Sequence, residues 1–339
     1  MQKFLQHFIF FVLVTVFVGS LTAGTFLENR QYEPVVVRGA PLAAFYDVPV
    51  DELYMFAFDN ATQALHVIPF QIDERIKTTY DLLDKSWERH YYANSGIGIV
   101  DDGTLDDDDE LVFLIGDLGG EAPEEAWAAV NVENNLKKTI AVSDPNDPSQ
   151  YAVGYLVHSK DNLTVPTPYN FSYDVENDVV SNAHYSLRMD RPNGLIEDIS
   201  IKSPLGTGVD IFDTQKIRLV GIIDLGLIAI TPGLNELPAL NDRDNFHVFP
   251  PEDYLSVTEK PVVRLVREVH QTLRTEELLF SVLGVSFFVT TKFYPYSGVL
   301  EGGASLDPEQ LRDMFEDPDD ILIQFDLVRQ SWDFNENAV

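Results

Sequence analysis

The chain has 339 residues, of which 55 are acidic and 23 basic, for a formal charge of −32. Such a field repels nucleic acid and anionic membrane surfaces and attracts divalent cations and cationic partners, so nucleic acid is excluded as a partner. There is no cysteine, which excludes disulfides and a lipid-modified cysteine.

The chain opens with "MQKFLQHFIFFVLVTVFVGSLTAG". One lysine precedes an apolar run from Phe8 to Ala23, and small residues follow, which is the layout of a secretory signal. The run falls short of the ~20 apolar residues that span a bilayer. We therefore expect residues 1–24 to be a signal peptide, cleaved after Ala23 or Gly24, with an uncleaved anchor as the alternative. The mature chain is then periplasmic or secreted, with no transmembrane segment. Export without disulfides suits this length, which buries a core large enough to stand without cross-links.

The mature chain reads as strands. "EPVVVRG", "AAFYDV", "LYMFAF" and "LHVIPFQID" are short, β-branched or aromatic, and punctuated by Pro, Gly, Asn and Asp. The pattern continues through "DELVFLIG", "KTIAVS", "YAVGYLVH", "IEDISIK", "KIRLVGIIDLGLIAI", "PVVRLVREVHQTL" and "LLFSVLGVSFFVTTKFYPYS". Helical signals are confined to "APEEAWAAVN" and to "SLDPEQLRDMFED", where Pro308 opens the first turn and Leu311 and Phe315 lie four apart. The expected fold is all-β, a large antiparallel β-sandwich of one or two sandwich units with one or two short helices. Ile217–Thr231 and Leu278–Thr291 are apolar for longer than one strand face needs, as central strands buried on both faces are. Asn170 to Asn193 is polar and strand-poor, which divides the mature chain into an N-terminal β region, 25–170, and a C-terminal one, 171–339.

"DDGTLDDDDELVFL" places Asp101, Asp102, Asp106, Asp107, Asp108, Asp109 and Glu110 directly before an apolar strand. Calcium takes six to eight oxygen ligands on an irregular loop, and these carboxylates are candidate ligands, with Gly103 letting the chain turn. With Gly103 at the sixth position of an EF-hand-like loop, Asp102 is fifth and Asp109 twelfth. Gly98 and Val100 at the first and third positions bring no side-chain oxygen, so the match is partial. The alternative is a solvated acidic hairpin built by Asp and Gly turn chemistry.

"VIPFQIDER" alternates. Ile68, Phe70 and Ile72 fall on one face and Gln71, Asp73 and Arg75 on the other, so the polar three are candidates to line a groove or to form a surface ion pair. "WERHYYANSG" collects Trp87, His90, Tyr91 and Tyr92, whose rings suit sugar faces or anchor the loop. Together, "IPFQIDER", "LDDDDELVFLIGDLG", "PVVRLVR" and "KFYPYS" resemble the PFQIDE and DDELVF motif pair of a group of exported bacterial proteins. More remotely, a P-V-Q-like segment and a P-V-R strand are similar to those of galactose-mutarotase-like β-sandwiches that bind or cleave polysaccharides. The resemblance implies export and a polysaccharide partner but brings no catalytic residue.

Acids are too abundant for a carboxylate pair to mark a hydrolase. A uronate lyase wants a cation on the substrate carboxylate and a Tyr, Lys or His base. Arg264, Arg267, His270, Lys292, Tyr294 and Tyr296 have those types, and parity puts Arg264 and His270 on one strand face with Arg267 on the other. No phosphate loop, dinucleotide fingerprint or G-x-S-x-G occurs. The expected function is an exported envelope or extracellular binding protein, glycan-binding, with a calcium-ordered acidic loop, metal ligands drawn from Asp101 to Glu110, and ligand contacts from Gln71, Asp73, Arg75, Trp87, Tyr91, Tyr92, Arg264 and Tyr294. A polysaccharide lyase or glycoside hydrolase, and a structural envelope or surface-assembly module, are the alternatives.

Overall fold

A computed structural model describes residues 30–82, 85–93, 101–190, 195–224, 229–230, 246–249, 255–258, 260–275, 286–305 and 322–338. The expected signal segment and the helix expected over "SLDPEQLRDMFED" lie outside these residues. The chain divides into two compact units, one made of the chain up to Arg75 with Asp101–Pro168, the other of Ile76–Val100 with Tyr169–Val339.

The strands are, in order, β1 (Pro34–Arg38), β2 (Leu53–Asp59), β3 (Ala64–Val67), β4 (Gln71–Asp73), β5 (Arg75–Leu82), β6 (Lys85–Tyr92), β7 (Glu110–Leu114), β8 (Lys137–Ser143) and β9 (Tyr151–His158). They continue as β10 (Ser172–Asp174), β11 (Val179–Ser181), β12 (Tyr185–Asp190), β13 (Leu195–Ile201), β14 (Phe212–Asp224), β15 (Ala229–Ile230), β16 (Phe246–Phe249), β17 (Leu255–Val257), β18 (Leu265–Thr275), β19 (Ser286–Phe293), β20 (Gly298–Ser305) and β21 (Leu322–Phe334). The fold is all-β, and the named strand pairs are antiparallel.

In the first unit, β1–β7–β4 and β3–β2–β9–β8 form two sheets around one core. Met55, Phe56 and Phe58 of β2 pack with Leu111 and Phe113 of β7 and with Tyr155 and Leu156 of β9. Strands β2 and β7 are buried on both faces, which is why each reads as an unbroken apolar run rather than an alternation. Edge strand β8 alternates between half-buried and exposed positions. Each buried Phe or Leu contributes about 1.5–3 kcal/mol. The "APEEAWAAVN" segment forms a 3-10 turn, Glu124–Ala129, too short for an α-helix. Its Trp127 meets Tyr155 edge-on, with ring centroids 5.0 Å apart.

In the second unit, β10–β11–β12–β13 is a meander, β18 pairs with β16, β17 and β19, β19 pairs with β20, and β14 pairs with β15 and β21. Val180, Leu187, Met189, Ile196 and Ile199 of the meander share a core with Leu265 of β18, Phe293 of β19 and Phe212 of β14. Of the two long apolar segments, the first forms the end of β14 and β15 and the second enters β19 at Ser286. No helix among the described residues is long and apolar enough to cross a membrane.

Candidate functional site

The acidic loop is fixed at several points of the first unit. Leu105 inserts into the core, completely buried. Its N–H donates to the Val48 carbonyl (3.0 Å) and its carbonyl accepts from Asp47 N–H (3.1 Å), while Val50 N–H donates to the Gly103 carbonyl (3.0 Å). Gly103 sits at φ 79°, the left-handed region where glycine is at ease. Gly39 runs so close beneath the loop that a Cβ there would collide with the Asp106 carbonyl oxygen.

The carboxylates then divide into two groups. Asp109 and Glu110 face inward, completely buried, and meet Arg75. Asp109 Oδ1 accepts Arg75 N–H (2.9 Å) and its Oδ2 accepts Asp106 N–H (2.9 Å). Arg75 Nε donates to the Asp108 carbonyl (2.5 Å) and its NH1 to Glu110 Oε1 (2.9 Å). Glu110 also stands opposite Asp73 on β4 and Arg38 on β1, with Arg38 Nε 3.8 Å away. These two carboxylates form the base that ties the loop to β5.

The second group is turned into the loop. Carboxylate oxygens of Asp106, Asp107 and Asp108 lie within 4.8 Å of one another, a cluster that can hold a metal ion. Asp106 Oδ1 accepts Asp108 N–H (3.0 Å), and Asp101 Oδ1 accepts Asp102 N–H (2.8 Å). Asp102 is exposed, and its Oδ1 is taken by the N–H and hydroxyl of Thr104. Three buried oxygens, Glu74 Oε1, Asp101 Oδ2 and Asp108 Oδ2, have no hydrogen-bond partner among the described residues. Glu74 was not visible as a site residue in the sequence. It sits at the break between β4 and β5, and only the pairing of β4 with β7 carries it to the loop.

Like charge accumulates here at a cost. Burial, then the hydrogen bond to and charge of Asp106, push the Asp108 carboxyl up to about 7. Asp109 is also pushed up to about 7, by burial first, against the N–H groups of Asp106 and Arg75 and with the charges of Asp106 and Asp101 adding. Burial raises Glu74 and Asp101 as well, reinforced by the charge of Asp101 on the first and of Asp106 on the second. Unfolded aspartate titrates near about 3.9. Between that value and about 7 the metal-free folded state therefore holds protons that the unfolded state has released, and stability falls as pH rises across the interval. In chelator we expect a lower Tm at about pH 8 than at about pH 5, with a flatter profile in Asp108→Asn; equal slopes for the two proteins would contradict this assignment.

The "VIPFQIDER" side chains do not line an open groove. Gln71, Asp73 and Arg75 are all buried. Gln71 Nε2 donates to Asp73 Oδ1, and Arg75 is held by the acidic loop as described. Both faces of the alternation are covered: Ile68 and Phe70 lie in the hydrophobic core with Ile72 packed against it, and β7 sets Glu110 against the polar face.

In the second unit, four of the residues named from sequence come together. Arg264, completely buried, lies with its NH1 3.1 Å from the Tyr294 hydroxyl and its NH2 3.5 Å from the Tyr92 hydroxyl. Its guanidinium lies over both rings, 5.4 Å from Tyr92 and 6.0 Å from Tyr294. Lys292, also named from sequence, and Glu268, which was not, complete the group. Lys292 Nζ is 5.6 Å from the Tyr92 ring, and Glu268 accepts Tyr92 N–H (3.1 Å) and the Thr290 hydroxyl (3.1 Å). Strand register explains the assembly. Val266 pairs with Lys292 and Glu268 with Thr290, so even-numbered residues of β18 and β19 share a face. Arg267, of opposite parity, turns the other way to Asp178. Tyr91 is half-buried, and the side chains of Trp87 and His270 lie outside the described part.

No protein-family model matches the chain, and no curated protein matches it.

Proposed function

We propose that this chain is an exported binding protein of the cell envelope or the exterior, with calcium holding its acidic loop and a glycan as its ligand. The observation that carries the calcium reading is the set of three buried, partnerless oxygens on Glu74, Asp101 and Asp108, beside the converging carboxylates of Asp106–Asp108. A buried polar atom without a partner costs several kcal/mol at worst, and one cation satisfies several such atoms together. The donor set is all oxygen on an irregular loop, which suits calcium better than the strictly octahedral magnesium. Export rests on the layout of residues 1–24, and exterior calcium-binding modules work at ~0.1–1 mM.

The rival reading, a polysaccharide lyase or glycoside hydrolase, draws on the Arg264, Lys292, Tyr92 and Tyr294 group. All four side chains are buried, which favours a structural role for them. Release of reducing or unsaturated ends from a polysaccharide panel distinguishes the two.

Calorimetry of the mature chain with CaCl2 tests the calcium. For a Kd of about 0.1 mM, about 1 mM calcium adds about 1.4 kcal/mol and raises Tm by about 3–5 °C. Asp108→Asn combined with Glu74→Gln is expected to raise Tm in chelator, by removing buried like charge, and to remove the calcium increment. The absence of both heat and a Tm shift at millimolar CaCl2 would overturn the reading.

A further inference from the structure

The second unit holds an aromatic plate that the sequence does not announce. The rings of His184 and Tyr296 stack with centroids 4.3 Å apart and planes 26° from parallel, and Tyr296 is 37% exposed. A buried amide positions them. Asn182 Oδ1 accepts the N–H groups of His184 (2.8 Å) and Tyr185 (2.9 Å), while its Nδ2 donates to the carbonyls of Tyr294 (3.4 Å) and Pro295 (3.3 Å). The Tyr185 hydroxyl adds a bond to the Tyr294 carbonyl (2.7 Å), so the β11–β12 turn is tied to the β19–β20 turn. The end of β13 joins them: Lys202 N–H donates to the His184 carbonyl (2.7 Å).

Donors ring the plate. Lys202 Nζ gives two of its three protons to Ser181 Oγ (2.5 Å) and the Asn182 carbonyl (2.6 Å), which leaves one. Burial, then the charge of Lys202, lowers the His184 pKa, so the imidazole is neutral at pH 7 and offers one donor and one acceptor. Its ring nitrogens bond to no described residue. Ser181 also lines an open groove of about 550 Å3 on the β10–β12 sheet, with Ser172, Asn177 and Arg188. That volume is within the usual range for small-ligand sites.

We infer that the His184–Tyr296 stack is a saccharide-binding plate, the terminal subsite for an oligosaccharide that continues along the Ser181 groove. An exposed ring face matches the C–H face of a pyranose, and the lysine and imidazole beside it match the hydroxyls at the ring's edge. A proline-rich peptide also stacks on aromatics, but it wants apolar ridges, and five of the groove's seven lining residues, Ser172, Asp174, Asn177, Ser181 and Arg188, are polar or charged, beside Tyr173 and Val179. The inference rests on the glycan part of the proposed function.

The test is saturation-transfer NMR on the full mature chain with maltotriose, cellotriose and triacetylchitotriose, beside a proline-rich decapeptide. At least one trisaccharide is expected to receive saturation on the C–H face of one terminal ring. Tyr296→Ala should weaken that binding about tenfold, Tyr296→Phe should retain it, and Tyr32→Ala, at an exposed tyrosine of the first unit, should not change it. Trisaccharide binding that survives Tyr296→Ala overturns the plate and leaves the glycan reading standing. Transfer to no trisaccharide, or to the peptide alone, overturns both.

Discussion

Arg75→Met is expected to destabilise the protein by about 3–5 kcal/mol. The substitution keeps most of the aliphatic length and removes the guanidinium that Glu110 and the Asp108 carbonyl share. Glu110 and Asp109 stay behind, completely buried, and a carboxylate stranded in the interior costs more than its pair contributed. Arg38 does not replace the loss, because it stands 3.8 Å from Glu110 on a side chain that is 76% exposed. The residue 75 N–H still reaches Asp109, so the loop keeps one bond to β5 beside its backbone bonds to Asp47, Val48 and Val50. Two measurements check this. Urea denaturation of Arg75→Met should show a lower midpoint with the same m-value. Adding Glu110→Gln should recover part of the loss, since a double-mutant cycle reads the coupling of residues in contact. A double variant no more stable than Arg75→Met would show that the charge pair is not what holds the loop. Calcium should still raise the Tm of Arg75→Met, from a lower starting point, because the carboxylates proposed to hold it are all retained.

Most strands were legible because their signals are local, but "AAFYDV" runs through the 3-10 helix Ala40–Phe45 rather than a strand, and the segment read as strand-poor, Asn170 to Asn193, carries β10, β11 and β12. "LYMFAFD" and "ELVFL" are apolar without interruption, and both run through the middle of sheets with side chains buried on each face. The alternation of "VIPFQIDER" was legible too, but not that its polar face is buried as well as its apolar one. That depends on Glu110, 35 residues further along from Arg75, and no local pattern carries such a pairing. Crowding of the aspartates was plain, whereas their separation into an inward pair on Arg75 and an outer set with partnerless oxygens was not. Parity correctly sent Arg264 and Arg267 to opposite faces, yet their partners come from elsewhere in the chain: Tyr92 for one, Asp178 for the other. The His184–Tyr296 stack joins two turns 112 residues apart, and Glu74 owes its place to a break between two short strands. In each of these cases chemistry depends on long-range pairing, which periodicity does not encode.

The second large effect is expected at Asp178. This residue is completely buried in the turn before β11, at φ 53°, and holds Arg267 in two bonds, Nε to Oδ1 (3.0 Å) and NH2 to Oδ2 (2.5 Å). The Tyr173 hydroxyl donates to the same Oδ1 (2.7 Å), and burial first, then Asp178, hold the phenol above its ordinary pKa. Met189 N–H donates to the Asp178 carbonyl (3.0 Å). One aspartate thus fastens the β10–β13 meander to β18. Asp178→Ala strands a buried guanidinium and a hydroxyl and puts a Cβ-bearing residue without a local hydrogen bond in the left-handed region, for an expected loss of about 3–5 kcal/mol. Asp178→Asn tolerates that backbone and keeps one acceptor, so its loss should be smaller. Pairing Asp178→Asn with Arg267→Met should be less damaging than Asp178→Ala alone, because neither buried charge is then left without its counterpart. The calcium increment should be unchanged in all three, since the acidic loop belongs to the first unit. Chemical denaturation with and without CaCl2 reads both quantities. A loss below about 1 kcal/mol for Asp178→Ala would mean that water reaches the pair and that the β10–β13 sheet is held to β18 by the Val180, Leu187 and Leu265 core alone.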